Sequence, residues 1–174
     1  FPVNMRRFKG NKVKIISNPM MNICFEKADK IQFDYDGKYR PSVHFTASKG
    51  GINDPNGLVY YGGRYLMYFQ HNPVATTWEN MHWGGAFSED LIHWREFGDV
   101  LFPDKDGTMF SGSAIIDKKN LTGLQRGNEP AILYFYTSAG NTSETSKGKP
   151  FTQCLAYSND GGKTLIKYDK NPII

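Results

Sequence analysis

The sequence predicts an all-β fold made of short strands joined by tight turns. Three observations point there. Aromatic residues are abundant, with 12 Phe, 10 Tyr and 3 Trp among 174 residues, and such side chains suit a pleated, half-buried surface. Gly, Asn, Asp and Pro interrupt the apolar stretches at short intervals, as turns do. No long run carries the 3.6-residue period of an amphipathic helix. A chain of this length has enough material for a core of its own.

Residues 1–38 read as a lead-in, with strands over 12–17 and 21–25 and an alternating stretch over 32–35 that ends at an Asp36-Gly37 turn. From Tyr39 to residue 174 a steady series of hairpins is expected. Residues 58–61 and 64–69 flank Gly62-Gly63, a pair that tolerates the positive φ of a two-residue hairpin turn. Residues 83–88 and 91–97 flank a second turn at Glu89-Asp90. Further strands are expected over 111–117, 131–137, 151–158 and 164–168. Residues 139–149, rich in Ser, Thr, Gly and Lys, read as a long exposed loop.

One turn repeats. Ser88-Glu89-Asp90 and Ser158-Asn159-Asp160 each place Ser-x-Asp at a hairpin tip, 70 residues apart. Each suits an Asx turn, in which the side-chain oxygens bond nearby backbone N–H groups. A period of several tens of residues with four strands per unit suits propeller blades. Two copies leave a β-sandwich open as well.

The net charge of +4 draws partly on Arg6, Arg7, Lys9, Lys12 and Lys14. Alternation puts Lys12 and Lys14 on one side of a strand, so a solvated face explains them better than a nucleic-acid site, which wants basic residues interleaved with stacking aromatics. No segment approaches the roughly 20 apolar residues that span a bilayer. Phe1 to Arg7 lack the apolar stretch of a signal peptide, so a mature or trimmed chain is expected. Cys24 and Cys154 have no metal-ligand spacing and read as buried thiols; whether they pair is left open.

Asn53-Asp54-Pro55-Asn56-Gly57 is the focal point for chemistry. Taken alone, it reads as a β-turn: Pro55 holds Asp54 extended, and Asn56-Gly57 tolerates positive φ. Its surroundings add a second reading. Phe69-Gln70-His71-Asn72-Pro73 follows, then Trp78-Glu79-Asn80-Met81-His82-Trp83-Gly84-Gly85-Ala86, then Phe110-Ser111-Gly112-Ser113. Flat aromatic faces that stack on sugar C–H surfaces, beside amides and hydroxyls that bond ring hydroxyls, are what carbohydrate sites use.

Together with His44-Phe45-Thr46 and Ser88-Glu89-Asp90-Leu91-Ile92-His93-Trp94, these segments resemble, in order and spacing, the invertase, inulinase and levanase family of β-fructofuranoside-cleaving glycoside hydrolases (glycoside hydrolase family 32). The resemblance covers residues 39–174. It implies a five-bladed β-propeller, of which this chain supplies roughly the first two to three blades. It also implies that Asp54 is the nucleophile of a double-displacement, retaining mechanism. Asn53, Gln70, Trp78, Phe110 and Ser111 become contacts of the fructose ring. Sucrose or a fructan (levan or inulin) is the implied substrate, no metal or cofactor is called for, and polymeric substrates imply an extracellular, periplasmic or cell-surface location.

The match departs in places. Gly51 and Ile52 stand where many members have an aromatic residue and a methionine, and Gly85 stands where relatives often have a histidine. The family's Arg-Asp-Pro and Glu-Cys elements are absent: none of the six arginines precedes Asp and none of the six glutamates precedes Cys. The expectation is therefore a partial catalytic domain, inactive alone, whose open propeller edges favour self-association. Two other readings remain at this point: a fructan-binding protein without catalysis, and a propeller glycosidase acting on another furanoside.

Overall fold

The computed structural model describes residues 33–174. The strands expected over 12–17 and 21–25, Cys24 and the basic N-terminal residues lie outside the described residues. Eight strands follow one another: β1 (Gly51–Tyr61), β2 (Arg64–Asn72), β3 (His82–Ser88), β4 (Trp94–Leu101), β5 (Thr108–Ile116), β6 (Ile132–Ala139), β7 (Phe151–Ser158) and β8 (Ile166–Lys167). They form two four-stranded antiparallel sheets, ordered β1-β2-β3-β4 and β5-β6-β7-β8. The all-β expectation holds, and each sheet is a simple meander of sequence neighbours.

The first hairpin closes where the glycine pair predicted it. Gly62 and Gly63 have φ of +57° and +80°, the pair of left-handed conformations whose twist matches two antiparallel strands. β7 falls on the predicted residues. Other boundaries differ. Among the described residues no strand precedes Gly51, so the hairpin series starts later than Tyr39. The turn expected at Asp36-Gly37 lies slightly later, with the Arg40 amide donating to the Gly37 carbonyl at 3.0 Å. The connection after β3 runs over residues 89–93, so β4 starts at Trp94 and not at Leu91. The loop after β6 is not uniformly exposed. It contains a short 3-10 turn (Glu144–Ser146) that buries Ser146 completely.

The Ser-x-Asp turns explain that third shift. Ser88 Oγ accepts from the amides of Asp90 (3.2 Å) and Leu91 (2.8 Å), while Asp90 Oδ1 accepts from Ile92 (2.9 Å) and His93 (2.7 Å). Those bonds tie the amides of residues 90–93 into the turn, and the ladder resumes at Trp94, opposite Ser88. The later copy is built alike: Ser158 Oγ accepts from the Gly162 amide at 2.9 Å, and Asp160 accepts from the Thr164 amide and hydroxyl. Both turns need a left-handed residue at the same place. Gly161 fills it at φ +72° in the second, whereas the first uses Leu91 at φ +66°.

The core lies where the two sheets face one another. Tyr68, Trp83, Met109, Ile132 and Tyr134 are fully buried there, beside Leu66, Leu101, Tyr136 and Cys154. Cys154 carries a free, buried thiol. Buried phenols need partners. Tyr68 donates to the Gly162 carbonyl at 2.7 Å, so the Tyr134 hydroxyl, 2.7 Å away, is the donor to Tyr68. Burial pushes both phenols well above their ordinary range, so neither ionises. Trp83 Nε1 donates to the Phe110 carbonyl (3.0 Å) and the Met109 amide to the Met81 carbonyl (2.8 Å). These two bonds fasten β5 to the first sheet at one end, the end that carries the aromatic and amide motifs. Among the described residues no helix is long and apolar enough to cross a membrane.

Candidate functional site

β1 and β5 are the first strands of their sheets and lie against each other. Asn53 to Gly57, read alone as a turn between strands, is instead part of β1. The reason is a pair of irregularities. Asn53 pairs with Gln70 and Pro55 with Phe69, so Asp54 is an extra residue without a partner in the ladder. A second excess follows between Asn56 and Val59, where Gly57 adopts φ +52°. A Cβ at Gly57 would stand 2.9 Å from Tyr68 Cδ2 and 3.1 Å from Trp83 Cζ3, so only glycine fits there. The turn-prone residues bend a strand rather than end it.

β5 carries the same device. Phe110 pairs with Thr137 and Gly112 with Tyr136, leaving Ser111 as its extra residue. Bulges re-aim side chains, and these two aim at each other: Ser111 Oγ donates to Asp54 Oδ2 at 2.7 Å. That bond, followed by the neighbouring Asn53 side chain, holds the Asp54 carboxyl below its ordinary range, although the group is exposed. An exposed carboxylate kept ionised by a donor on a second strand is suited to nucleophilic attack or to binding hydroxyls.

Behind Ser111 stands Asn56, 1% exposed. Turned so that its oxygen faces the surrounding donors, its amide accepts from Gln70 Nε2 (3.1 Å) and the Gln70 backbone amide (3.3 Å), and donates to Ser111 Oγ (3.3 Å). Gln70, itself 2% exposed, thus acts on Asp54 through Asn56 and Ser111. The bulge makes this arrangement. Without an extra residue, Asn53 and Asn56, three apart, would point to opposite faces; with it, both lie on the face of Gln70.

Trp78, from the β2–β3 connection, is 64% exposed and meets Phe110 edge-on, with ring centroids 5.7 Å apart. Phe110 also meets Phe151, at the start of β7, with centroids 5.6 Å apart. All six residues singled out from the sequence therefore fall in linked contacts: Asp54 with Ser111 and Asn53, Gln70 through Asn56, and Trp78 with Phe110, next in chain to Ser111. Asn53 adjoins Asp54 and faces Gln70 across the strands. Asn56 and Phe151 were not singled out as site residues. Asn56 looked like a turn residue, and nothing in the Phe151 sequence marks its approach to Phe110. Among the described residues no three His, Cys, Asp or Glu side chains converge on a metal position.

Comparison with known proteins identifies the family. Residues 44–174 match the model of the glycosyl hydrolases family 32 N-terminal domain. The chain is 40% identical over 163 residues to a levanase of Bacillus subtilis (strain 168), covering 94% of this chain and 23% of that protein. It is 39% identical to the extracellular exo-inulinase of Aspergillus awamori, over 82% of this chain and 29% of the relative. The crystal structure of exo-inulinase from that organism superposes with a TM-score of 0.74 at 38% identity, covering 82% of this chain and 30% of that one. A β-fructofuranosidase from Schwanniomyces occidentalis, solved with fructosyl-erythritol, superposes at 0.68 with 39% identity, over 78% of this chain and 26% of that one. The chain therefore spans about a quarter of the length of the relatives it matches. With two four-stranded sheets that overlay solved members and a family match over three quarters of its residues, this chain belongs to glycoside hydrolase family 32.

Proposed function

We propose that this chain is part of a retaining glycoside hydrolase that cleaves β-fructofuranosidic bonds in sucrose or fructans, with Asp54 as the nucleophile. The observation that carries the reading is the Ser111–Asp54 bond between two bulged strands. It keeps an exposed carboxylate ionised beside the Trp78–Phe110 pair. In this reading the two sheets are the first two blades of a five-bladed propeller, over residues 39–174, and β1 and β5 line its axis.

Asp54 attacks the anomeric carbon, forming a fructosyl ester as the glycosidic bond breaks, and water then hydrolyses the ester with configuration retained. Trp78 and Phe110 offer apolar faces to the sugar. Asn53 and Ser111 present amide and hydroxyl groups to its hydroxyls, Ser111 also aligns the carboxylate, and Gln70, 2% exposed, serves the fructose site from behind through Asn56. No step calls on a metal or cofactor. A retaining mechanism takes a second carboxyl group about 5–5.5 Å from the first. The chain contains neither an Arg-Asp nor a Glu-Cys dipeptide, so alone it is expected to bind sugar without turnover. Action outside the cell fits polymeric substrates and the extracellular description of the Aspergillus awamori relative.

The test is sugar release from sucrose, inulin and levan by the protein that carries this chain, beside its Asp54→Asn variant. Loss of turnover on the order of 10³-fold or more is expected, with the circular dichroism spectrum unchanged. An Asp54→Asn protein that turns over at the native rate overturns the assignment.

A further inference from the structure

A second constellation of charged groups lies off the Asp54 site, at the entry to β1. His71, near the end of β2, is 4% exposed. Its Nδ1 stands 2.5 Å from Asp99 Oδ1 on β4, and its Nε2 stands 3.0 Å from the Lys49 carbonyl oxygen, two residues before β1. A carbonyl oxygen can only accept, and so can an ionised carboxylate. Both ring nitrogens must then donate. That protonation state is the imidazolium, with one N–H on each side.

The surroundings favour the cation. Burial alone would lower the His71 pKa, but the bond to Asp99, the charge of Asp99 and the Lys49 carbonyl outweigh it and raise the value. Glu96, also on β4, adds negative charge. Glu96 in turn accepts from the Ser48 amide (2.7 Å) and the Tyr35 hydroxyl (2.8 Å), with Arg40 lying over the Tyr35 ring. Residues 48 and 49 are thus held by two β4 carboxylates, one directly and one through His71. Little slack remains beside them: a Cβ at Gly50 would stand 2.0 Å from the Asn72 carbonyl oxygen. His71 itself pairs with Ile52, and its neighbour Gln70 pairs with Asn53, the residue before the Asp54 bulge.

We infer that His71 is a positioning residue of this site: as a buried imidazolium between Asp99 and the Lys49 carbonyl, it pins the entry of β1 and so fixes where the Asp54 bulge points. The inference rests on the reading of Asp54 as nucleophile for its catalytic consequence, but not for the clamp itself. When pH rises through the folded pKa, one donor is lost and a nitrogen lone pair faces an acceptor oxygen. The β1 entry is then released, and Asp54 loses its alignment with Ser111. The clamp stabilises the fold below the unfolded histidine pKa of about 6.5, and that contribution disappears as pH rises through the raised value.

Two measurements test this. Nitrogen-15 NMR of the native chain at pH 6 should show both His71 ring nitrogens protonated. A single protonated nitrogen there overturns the clamp, whatever the protein catalyses. Asp99→Asn keeps an acceptor for Nδ1 but removes the charge, so it should lower the His71 pKa in that spectrum. In the protein that carries this chain, the same substitution should shift the alkaline limb of kcat downward by the same interval, with KM little changed and kcat falling about ten-fold or more above that limb. A lowered His71 pKa with an unmoved alkaline limb overturns the positioning role. If the native protein turns over no β-fructofuranoside, the proposed function fails while the NMR result still decides the clamp.

Discussion

Removing the Asn56 side chain is the sharpest probe of how the candidate site is supported. Asn56→Ala leaves the backbone of β1 intact but takes away the amide between Gln70 and Ser111. Gln70 Nε2, in a side chain 2% exposed, loses the acceptor 3.1 Å away. A buried donor left without a partner costs about 1–3 kcal/mol. The space vacated by the amide adds on the order of 1 kcal/mol, because packed surroundings relax only in part. The sum, about 2–4 kcal/mol, is a large share of the roughly 5–15 kcal/mol that holds a typical domain together. Urea unfolding followed by tryptophan fluorescence reads it directly, since Trp83 is fully buried against the same core. The midpoint should fall with the slope unchanged. A loss below about 1 kcal/mol would show that the amide does not bridge these groups, and the support assigned to Gln70 and Asn56 would have to be abandoned.

Two further outcomes follow from the geometry. Ser111→Ala removes the first cause of the low Asp54 pKa, so that pKa should rise and the acidic limb of kcat/KM should move to higher pH. The stability the carboxylate contributes above its unfolded pKa, lost as pH falls through the folded value, should shrink as well; a pH–rate profile that stays put refutes the coupling. Leu91→Gly should stabilise the chain by about 0.5–1 kcal/mol, since a left-handed Leu costs roughly 1–2 kcal/mol and glycine returns part of that gain as chain entropy. Leu91 is 54% exposed, so little burial is lost, and a lowered melting temperature would contradict the strain reading.

Local chemistry made much of this molecule legible in the sequence. Gly62-Gly63 announces its hairpin because only residues at ease with positive φ close a two-residue turn. Strand β7 reads correctly because aromatic and apolar residues run up to a Ser-x-Asp stop. The candidate site residues stand out as a set because their motifs follow one another in the order and spacing of the family the chain resembles. What stayed hidden depends on partners far away in sequence. A bulge is a count difference between two strands, so neither Asp54 nor Ser111 shows it alone. Asn56 looks like a turn residue until the excess at Asp54 rotates it toward Gln70. Asp99 and His71 are 28 residues apart, and only the β2-β3-β4 meander brings them together.

The two bulges give the site a further property. Asp54 and Ser111 each stand outside the ladder, so the ladder loses no partner if either is taken away. Excising Asp54 would leave Asn53 opposite Gln70 and Pro55 opposite Phe69, with the pairing continuous from Gly51 to Asn56. The proposed nucleophile and its hydroxyl partner are each a single-residue insertion into their strand. An ancestral sheet could have acquired each by the gain of one codon, and a descendant can discard either by the loss of one, with the order of strands in each sheet passing through both changes intact.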